Sequence, residues 1–216
     1  MPGARERTWR AMGGAPRGRR AGPAWLTGPG ATLPRMESLR GKLLIAAPML
    51  TDPNFARSVV LIAAHDENGA LGLILNRPLD VAVAEISPAL DAIAEPGSTL
   101  HRGGPVAPES AVVLADFVDP SLAALTVFGN VGFPSAECDL GELAANVRRA
   151  RVFAGHAGWG PGQLDEELRD EGWIVGQLAP DELWQSDNRQ LWATALARKG
   201  GGYALLARMP EDPSVN

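Results

Sequence analysis

The chain has 216 residues, 45% of them apolar and 21% charged, with a formal net charge of −5 and one cysteine, Cys138. A lone cysteine excludes an internal disulfide framework and fits a reducing cytoplasm, and no run approaches the roughly 18 apolar residues of a membrane-spanning helix. The charge is unevenly placed: residues 1–36 carry seven arginines against Glu6, a net of +6 within the whole chain's −5, leaving −11 for residues 37–216.

The first segment is rich in Gly, Pro, Ala and Arg and has no apolar periodicity. Such a composition buries too little surface to order itself, so residues 1–36 read as a disordered basic extension. Arg19-Arg20 invites a twin-arginine export reading, but Pro23, Gly28, Pro29 and Gly30 break the apolar stretch that should follow. Met36 is read as the native start, with residues 1–35 as an upstream extension; a basic tail that touches nucleic acid is the alternative. Residues 37–216 suit one domain. Its acidity repels phosphate backbones, so non-specific nucleic-acid binding by the domain itself is not expected.

Along the domain, Lys42 to Ala47 is a short apolar run stopped by Pro48, and Thr51-Asp52-Pro53-Asn54 is a loop with Phe55 as an inward anchor. Ser58 to Ala64 is apolar at successive positions, the mark of a central strand covered on both faces. Asn68-Gly69 separates it from Leu71 to Leu75 and predicts an antiparallel hairpin. Val81 to Ala94, broken by Pro88, reads as one or two short helices. Leu100 to Val106 leads through a glycine pair to a strand at Ala111 to Ala115, with another at Leu125 to Phe128. Leu140 to Arg149 has helical spacing, with Asp139 as its cap.

Arg151 to Gly155 reads as a buried strand that opens into Gly155-His156-Ala157-Gly158-Trp159-Gly160-Pro161-Gly162, a loop with four glycines in eight residues. A helix opens near Pro161, carries Leu164 and Leu168 on one face, and stops at Gly172. Trp173 to Val175 is a strand, and Pro180-Asp181-Glu182 opens a helix with Leu183 and Trp184. Asp187 caps a last helix bearing Leu191, Trp192, Ala195 and Leu196, and Tyr203 to Ala207 is a final strand. Hairpins mixed with segregated helices predict an α+β fold: a single compact domain with a mixed, largely antiparallel sheet flanked by helices.

Several of these segments recur together in one known family. Leu43 to Pro48 with Asp52-Pro53 and Phe55, Arg57 to Val60 with His65, and Gly69 with Gly72-Leu73 form the first block. Leu75 to Leu79, Arg102 to Val106, Ala157 to Leu164 with Glu166-Glu167, Trp173, and the closing Asp212-Pro213-Ser214 with Asn216 complete it. On these residues the sequence resembles the YqgE/AlgH family of bacterial proteins from about Leu39 onward. The resemblance implies a compact cytoplasmic α+β protein whose biochemical activity is not established. One branch is labelled a regulator of alginate transcription, yet this domain is acidic and shows no helix-turn-helix or basic recognition helix. Where the family usually has tyrosine this chain has His156, which removes a phenol hydroxyl and adds a titratable ring.

Three constellations are candidates for chemistry. Arg77 and Arg102-Gly103-Gly104 each follow a strand; two guanidiniums fork onto a carboxylate or phosphate, and successive glycine N–H groups form an anion nest. The plainer alternative is that both arginines pair with acids and the glycines make a tight turn. His65, His101 and His156 sit near strand ends but lack the short spacing of metal ligands, so no metal or cofactor is expected. Ser58, Ser110 and Cys138 are the nucleophile candidates, without a G-x-S-x-G elbow or a cysteine signature, and Cys138 has acidic neighbours. Trp173, Trp184 and Trp192 are spaced as packing anchors.

The leading functional reading is a cytosolic regulatory domain that binds a small anionic ligand or a protein partner. Its face is built from Arg77, Arg102, Gly103, Gly104, His156 and Trp159. An enzyme acting on a small anionic substrate, with His156 or His65 as acid–base and the two arginines as clamps, is the second. A DNA-bound regulator is the third.

Overall fold

Alternation of side chains in three neighbouring strands sets the architecture. In β1 (Lys42–Ala46), Leu43 and Ile45 enter one apolar cluster while Leu44 and Ala46 enter another. Strand β2 (Val59–Asp66) divides likewise, Val59 and Leu61 against Val60 and Ile62, and β3 (Gly69–Ile74) sends Leu73 one way and Ile74 the other. These strands are therefore covered on both faces, as their unbroken apolar runs predict. The turn between β2 and β3 falls at Glu67-Asn68, one residue earlier than the glycine signal places it.

The computed structural model describes residues 37–135, 138–179, 181–185 and 187–209. The basic extension, Pro180 and the closing Asp212-Pro213-Ser214 with Asn216 lie outside them. After β3 come β4 (Pro78–Ala82), α1 (Val83–Ile86), α2 (Pro88–Asp91), β5 (Thr99–Arg102) and the long β6 (Val106–Phe117). Strands β7 (Ala123–Phe128) and β8 (Val131–Pro134), helix α3 (Leu140–Asn146) and the 13-residue β9 (Val147–Trp159) follow. The rest is α4 (Gln163–Arg169), β10 (Trp173–Gln177), a 3-10 turn at Glu182–Trp184, α5 (Leu191–Lys199) and α6 (Gly202–Leu206). The main path through the sheet is β10-β1-β2-β3-β9-β6-β8-β7, with β4 on β5 and β5 on β9. Every pairing is antiparallel except β5 with β9, so the fold is α+β with a mixed, largely antiparallel sheet. No helix among the described residues is long and apolar enough to cross a membrane.

Strand β9 organises the sheet. Phe153 pairs with His101 of β5 on one edge and with Val112 of β6 on the other, so the chain from β5 to β6 must pass across β9. It does so on glycines. A methyl group at Gly103 falls 2.2 Å from the Gly155 carbonyl oxygen, one at Gly104 falls 2.2 Å from the His156 carbonyl, and one at Gly155 falls 2.6 Å from the Val106 oxygen. Backbone rests on backbone there, which only glycine permits. The two glycine-rich motifs are the halves of a single crossing.

Several sequence expectations change. Asp187 does not cap the last helix, whose N-cap is Gln190 with no side-chain bond; the Asp187 Oδ1 accepts from the Arg189 N–H instead. Residues 156–159 are not loop but the end of β9, because Ala157, Gly158 and Trp159 pair with Gly72, Leu71 and Ala70 of β3. Residues 203–206 are helix rather than strand: Tyr-Ala-Leu-Leu is too short for periodicity to decide, and its alanine and leucines favour a helix that packs back against α5. The predicted helix over Leu140 to Arg149 ends at Asn146, since Val147 to Arg149 already pair with β6. Its Asp139 cap is as expected, accepting from the Gly141 and Glu142 N–H groups.

Candidate functional site

Arg77 and Arg102 are neighbours through their backbones. The Arg102 N–H donates to the Arg77 carbonyl at 2.8 Å, beside the pairing of Pro78 with His101. The Arg77 guanidinium reaches back under the loop after β1, with Nη1 donating to Pro53 O at 3.1 Å and Nη2 to Ala56 O at 3.0 Å. Its pKa is lowered, first by burial and then by the positive charge of Arg102, against a smaller opposing pull from Asp52. Arg102 is exposed and, among the described residues, has neither an ion pair nor a side-chain hydrogen bond.

Arg77 also lines a hollow of about 340 Å³ with Arg57, Asn76, Arg189 and Trp192. Its floor is fixed by Asn76, whose Oδ1 accepts from the Val59 N–H and whose Nδ2 donates to Arg57 O, both at 2.8 Å. The Arg57 guanidinium lies 4.5 Å over the Trp192 ring and donates to Met209 O. Arg189 on the opposite wall is paired with Asp80 at 3.4 Å and Asp187 at 3.6 Å. The hollow is thus arginine-walled, with Asp80 and Asp187 paired to Arg189 and Asp52 acting on Arg77 from beyond ion-pair distance. Arg57 and Asn76 lie in blocks that match the family, but residue type alone does not mark them as lining a hollow, and Arg189 lies outside those blocks.

His156 and Trp159 do not line that hollow. Trp159 is 6% exposed and packs with Phe55, ring centroids 6.1 Å apart, and edge-on to Trp173 at 6.0 Å. Its Nε1 donates to Glu167 Oε2 at 2.9 Å, and the Trp173 Nε1 donates to the same oxygen at 2.8 Å. Glu167 Oε1 accepts from Gln163 Nε2, one helical turn earlier on α4. Phe55 sits on the same short loop that Arg77 grips, so the indole acts beneath the cationic face rather than on it. His156 is half-buried opposite Val106, with its pKa lowered by burial. Gly103 spends its N–H on Ala154 O at 2.9 Å, and Gly104 lies on the His156 backbone; the pair sets the course of the chain past Arg102.

The histidines stay apart. His65 Nδ1 accepts from the Leu39 N–H at 3.3 Å, while His101 is buried against Phe153, ring centroids 5.8 Å apart. Among the described residues no three His, Cys, Asp or Glu side chains gather as a metal site would require. Ser58 is fully buried and out of reach of any substrate, and Ser110 lies on β6. The Cys138 thiol pKa is raised by burial and by Glu142 and Asp139, which keeps it protonated and unreactive. Trp173 and Trp192 are core anchors; Trp184 is half-buried with the Arg149 guanidinium 4.9 Å above it.

A family profile described as AlgH-like matches residues 43–204. A UPF0301 protein of Streptomyces coelicolor is 42% identical over 190 residues, spanning 84% of this chain and 97% of its own length. A UPF0301 protein of Chlorobaculum tepidum is 34% identical over 180 residues, covering 82% of this chain and 95% of its own. Among solved structures, a protein from Corynebacterium diphtheriae superposes with a TM-score of 0.72 at 30% identity, over 81% of this chain and 94% of that one. The solution structure of the AlgH protein from Pseudomonas aeruginosa gives 0.58 at 28% identity, over 87% and 100%.

Proposed function

This chain belongs to the AlgH-like family, and we propose that it is a cytoplasmic, regulatory binding domain whose ligand is a small anion. The anion, free or carried by a protein partner, seats on the face bearing Arg77 and Arg102. One observation carries this reading: the backbones of Arg77 and Arg102 are joined by a 2.8 Å bond, and the Arg102 charge is near enough to lower the Arg77 pKa. No carboxylate among the described residues lies within ion-pair distance of either. Like charges near one another, with Asp52 acting on Arg77 only from beyond ion-pair distance, favour an anion between them, and a guanidinium fork is suited to carboxylate or phosphate oxygens. The adjoining hollow admits the body of such a ligand, with Arg57 and Trp192 beside it. Gly103 and Gly104 hold Arg102 in place through the crossing, and the Phe55–Trp159 stack holds the loop that fixes Arg77.

A thermal-shift panel of small mono- and dianions on the wild-type chain and on Arg102→Ala tests it. The expected result is a ligand whose stabilisation is lost in the variant. Equal stabilisation of both proteins by every active anion would rule out this face.

A further inference from the structure

A second cavity, of about 140 Å³, lies between β5, the end of the α2 connection and β9. Its lining includes Glu95, Ser98, Thr99, His101, Arg151 and Trp184. Two of these residues are deeply buried and incompletely bonded. Arg151 is 7% exposed; its Nη2 donates to Gln185 O, while its Nη1 has no partner among the described residues. His101 is 2% exposed; its Nδ1 lies 3.1 Å from Thr99 O, while its Nε2 has no partner among the described residues.

The bonded atoms fix what the unbonded ones offer. A carbonyl oxygen only accepts, so Nδ1 of His101 carries the ring proton and Nε2 presents a lone pair. Arg151 presents an N–H and a positive charge. A buried guanidinium with no carboxylate within ion-pair distance among the described residues is costly to leave unbalanced, and an orphaned buried donor adds to that cost. Glu95 at the exposed mouth is near enough to attract the Arg151 charge but is not paired with it. The other charge felt by His101 is that of Arg189. The cavity therefore asks for negative charge at Arg151 and for a proton donor at His101. We propose that it binds a small oxyanion that retains a hydroxyl proton: an anionic oxygen on Arg151 Nη1, and the hydroxyl donating to His101 Nε2.

Size and charge restrict the ligand further. At about 30 Å³ per water the space suits four or five waters, or an anion of roughly five heavy atoms. The Glu95 carboxylate opposes a second bare negative oxygen, which selects in the same direction as the histidine lone pair. Dihydrogen phosphate and a short α-hydroxycarboxylate share this chemistry. His101 stays neutral at neutral pH, its pKa lowered to about 4 by burial and by Arg151, so the lone pair is available there. Neither Arg77 nor Arg102 lines this cavity, although Arg102 is the next residue of β5 after His101.

The test is a titration of the full chain at neutral pH, following the His101 Nε2 resonance by long-range proton–nitrogen correlation. The probes are inorganic phosphate against sulfate, and glycolate against acetate. Each pair differs chiefly in the hydroxyl proton. The expected result is a saturable His101 shift with phosphate or glycolate, and at least about tenfold weaker binding of the partner lacking the hydroxyl; which pair responds identifies the source. Arg151→Met should abolish the shift and Arg102→Ala should leave it within about twofold. A flat His101 resonance with all four probes in the wild-type chain would mean that water alone fills the cavity. Equal binding of sulfate and phosphate would overturn the role given to His101. Loss of the shift in Arg102→Ala would place the anion on the other face.

Discussion

The Arg102 N–H donates to the Arg77 carbonyl at 2.8 Å, and that bond makes backbone neighbours of two arginines from separate segments of the chain. The two cations differ in their surroundings. Arg77 is clamped by the Pro53 and Ala56 carbonyls, whereas Arg102 projects into solvent beside it. A fixed cation next to a free one is a fork with one tine set, which lowers the ordering cost of receiving an anion.

Glu167 should matter to stability well beyond its place on the short helix α4. One of its oxygens accepts from both the Trp159 and Trp173 indoles. Glu167→Ala leaves two largely buried indole N–H groups unpaired and is expected to destabilise the protein by roughly 2–4 kcal/mol in urea unfolding, with Glu167→Gln intermediate. An alanine variant within about 0.5 kcal/mol of wild type would show that the indoles find water instead.

The glycine crossing makes a sharper claim. Gly104→Ala drives a methyl group to 2.2 Å from the His156 backbone, and a loss of about 3 kcal/mol or more is expected, up to failure to fold. Gly202→Ala, in the first turn of α6 with no atom within 4 Å of the added carbon, should be neutral or stabilise by up to about 1 kcal/mol. Equal tolerance of both substitutions in thermal unfolding would dismiss the crossing as a packing constraint.

Protonation of His101 should shape the acid limb of the stability curve. Its folded pKa of about 4 lies below the ordinary 6.5, so between these values the unfolded chain binds the proton that the folded one refuses. Stability then rises with pH across that window: it is fully present above about pH 6.5 and is lost as pH falls towards 4, by on the order of 3 kcal/mol. His101→Phe, which cannot titrate, should flatten that part of the curve. An unchanged slope in the variant would assign the acid sensitivity to other groups.

Much of this fold was legible because its signals are local. The unbroken apolar run of β2, the hairpin glycine, and Asp139 before α3 each report on their own neighbourhood. The glycines of residues 155–162 were conspicuous, but the cause of Gly155 is its contact with Gly103 and Gly104, which are close in space and far in sequence. For that reason the end of β9 reads as loop until its partners are known. The arginine fork was readable as residue types after strands, whereas its walls, Arg57 and Arg189, come together only through the packing of α5. Arg151 was not legible, because it follows Arg148 and Arg149 at the start of β9 and only its burial in the folded chain sets it apart from them.

The most direct measurement follows the side-chain Nε–H resonances of Arg77 and Arg102 while the full chain is titrated with succinate, phosphate and pyrophosphate. At least one of these anions is expected to shift both resonances along a common saturation curve. Arg102→Ala should then weaken binding at Arg77 by about tenfold or more, as loss of a charge-assisted hydrogen bond implies. Resonances that stay still with all three anions, or an Arg77 response that the variant leaves unchanged, would contradict a shared anion site on this face.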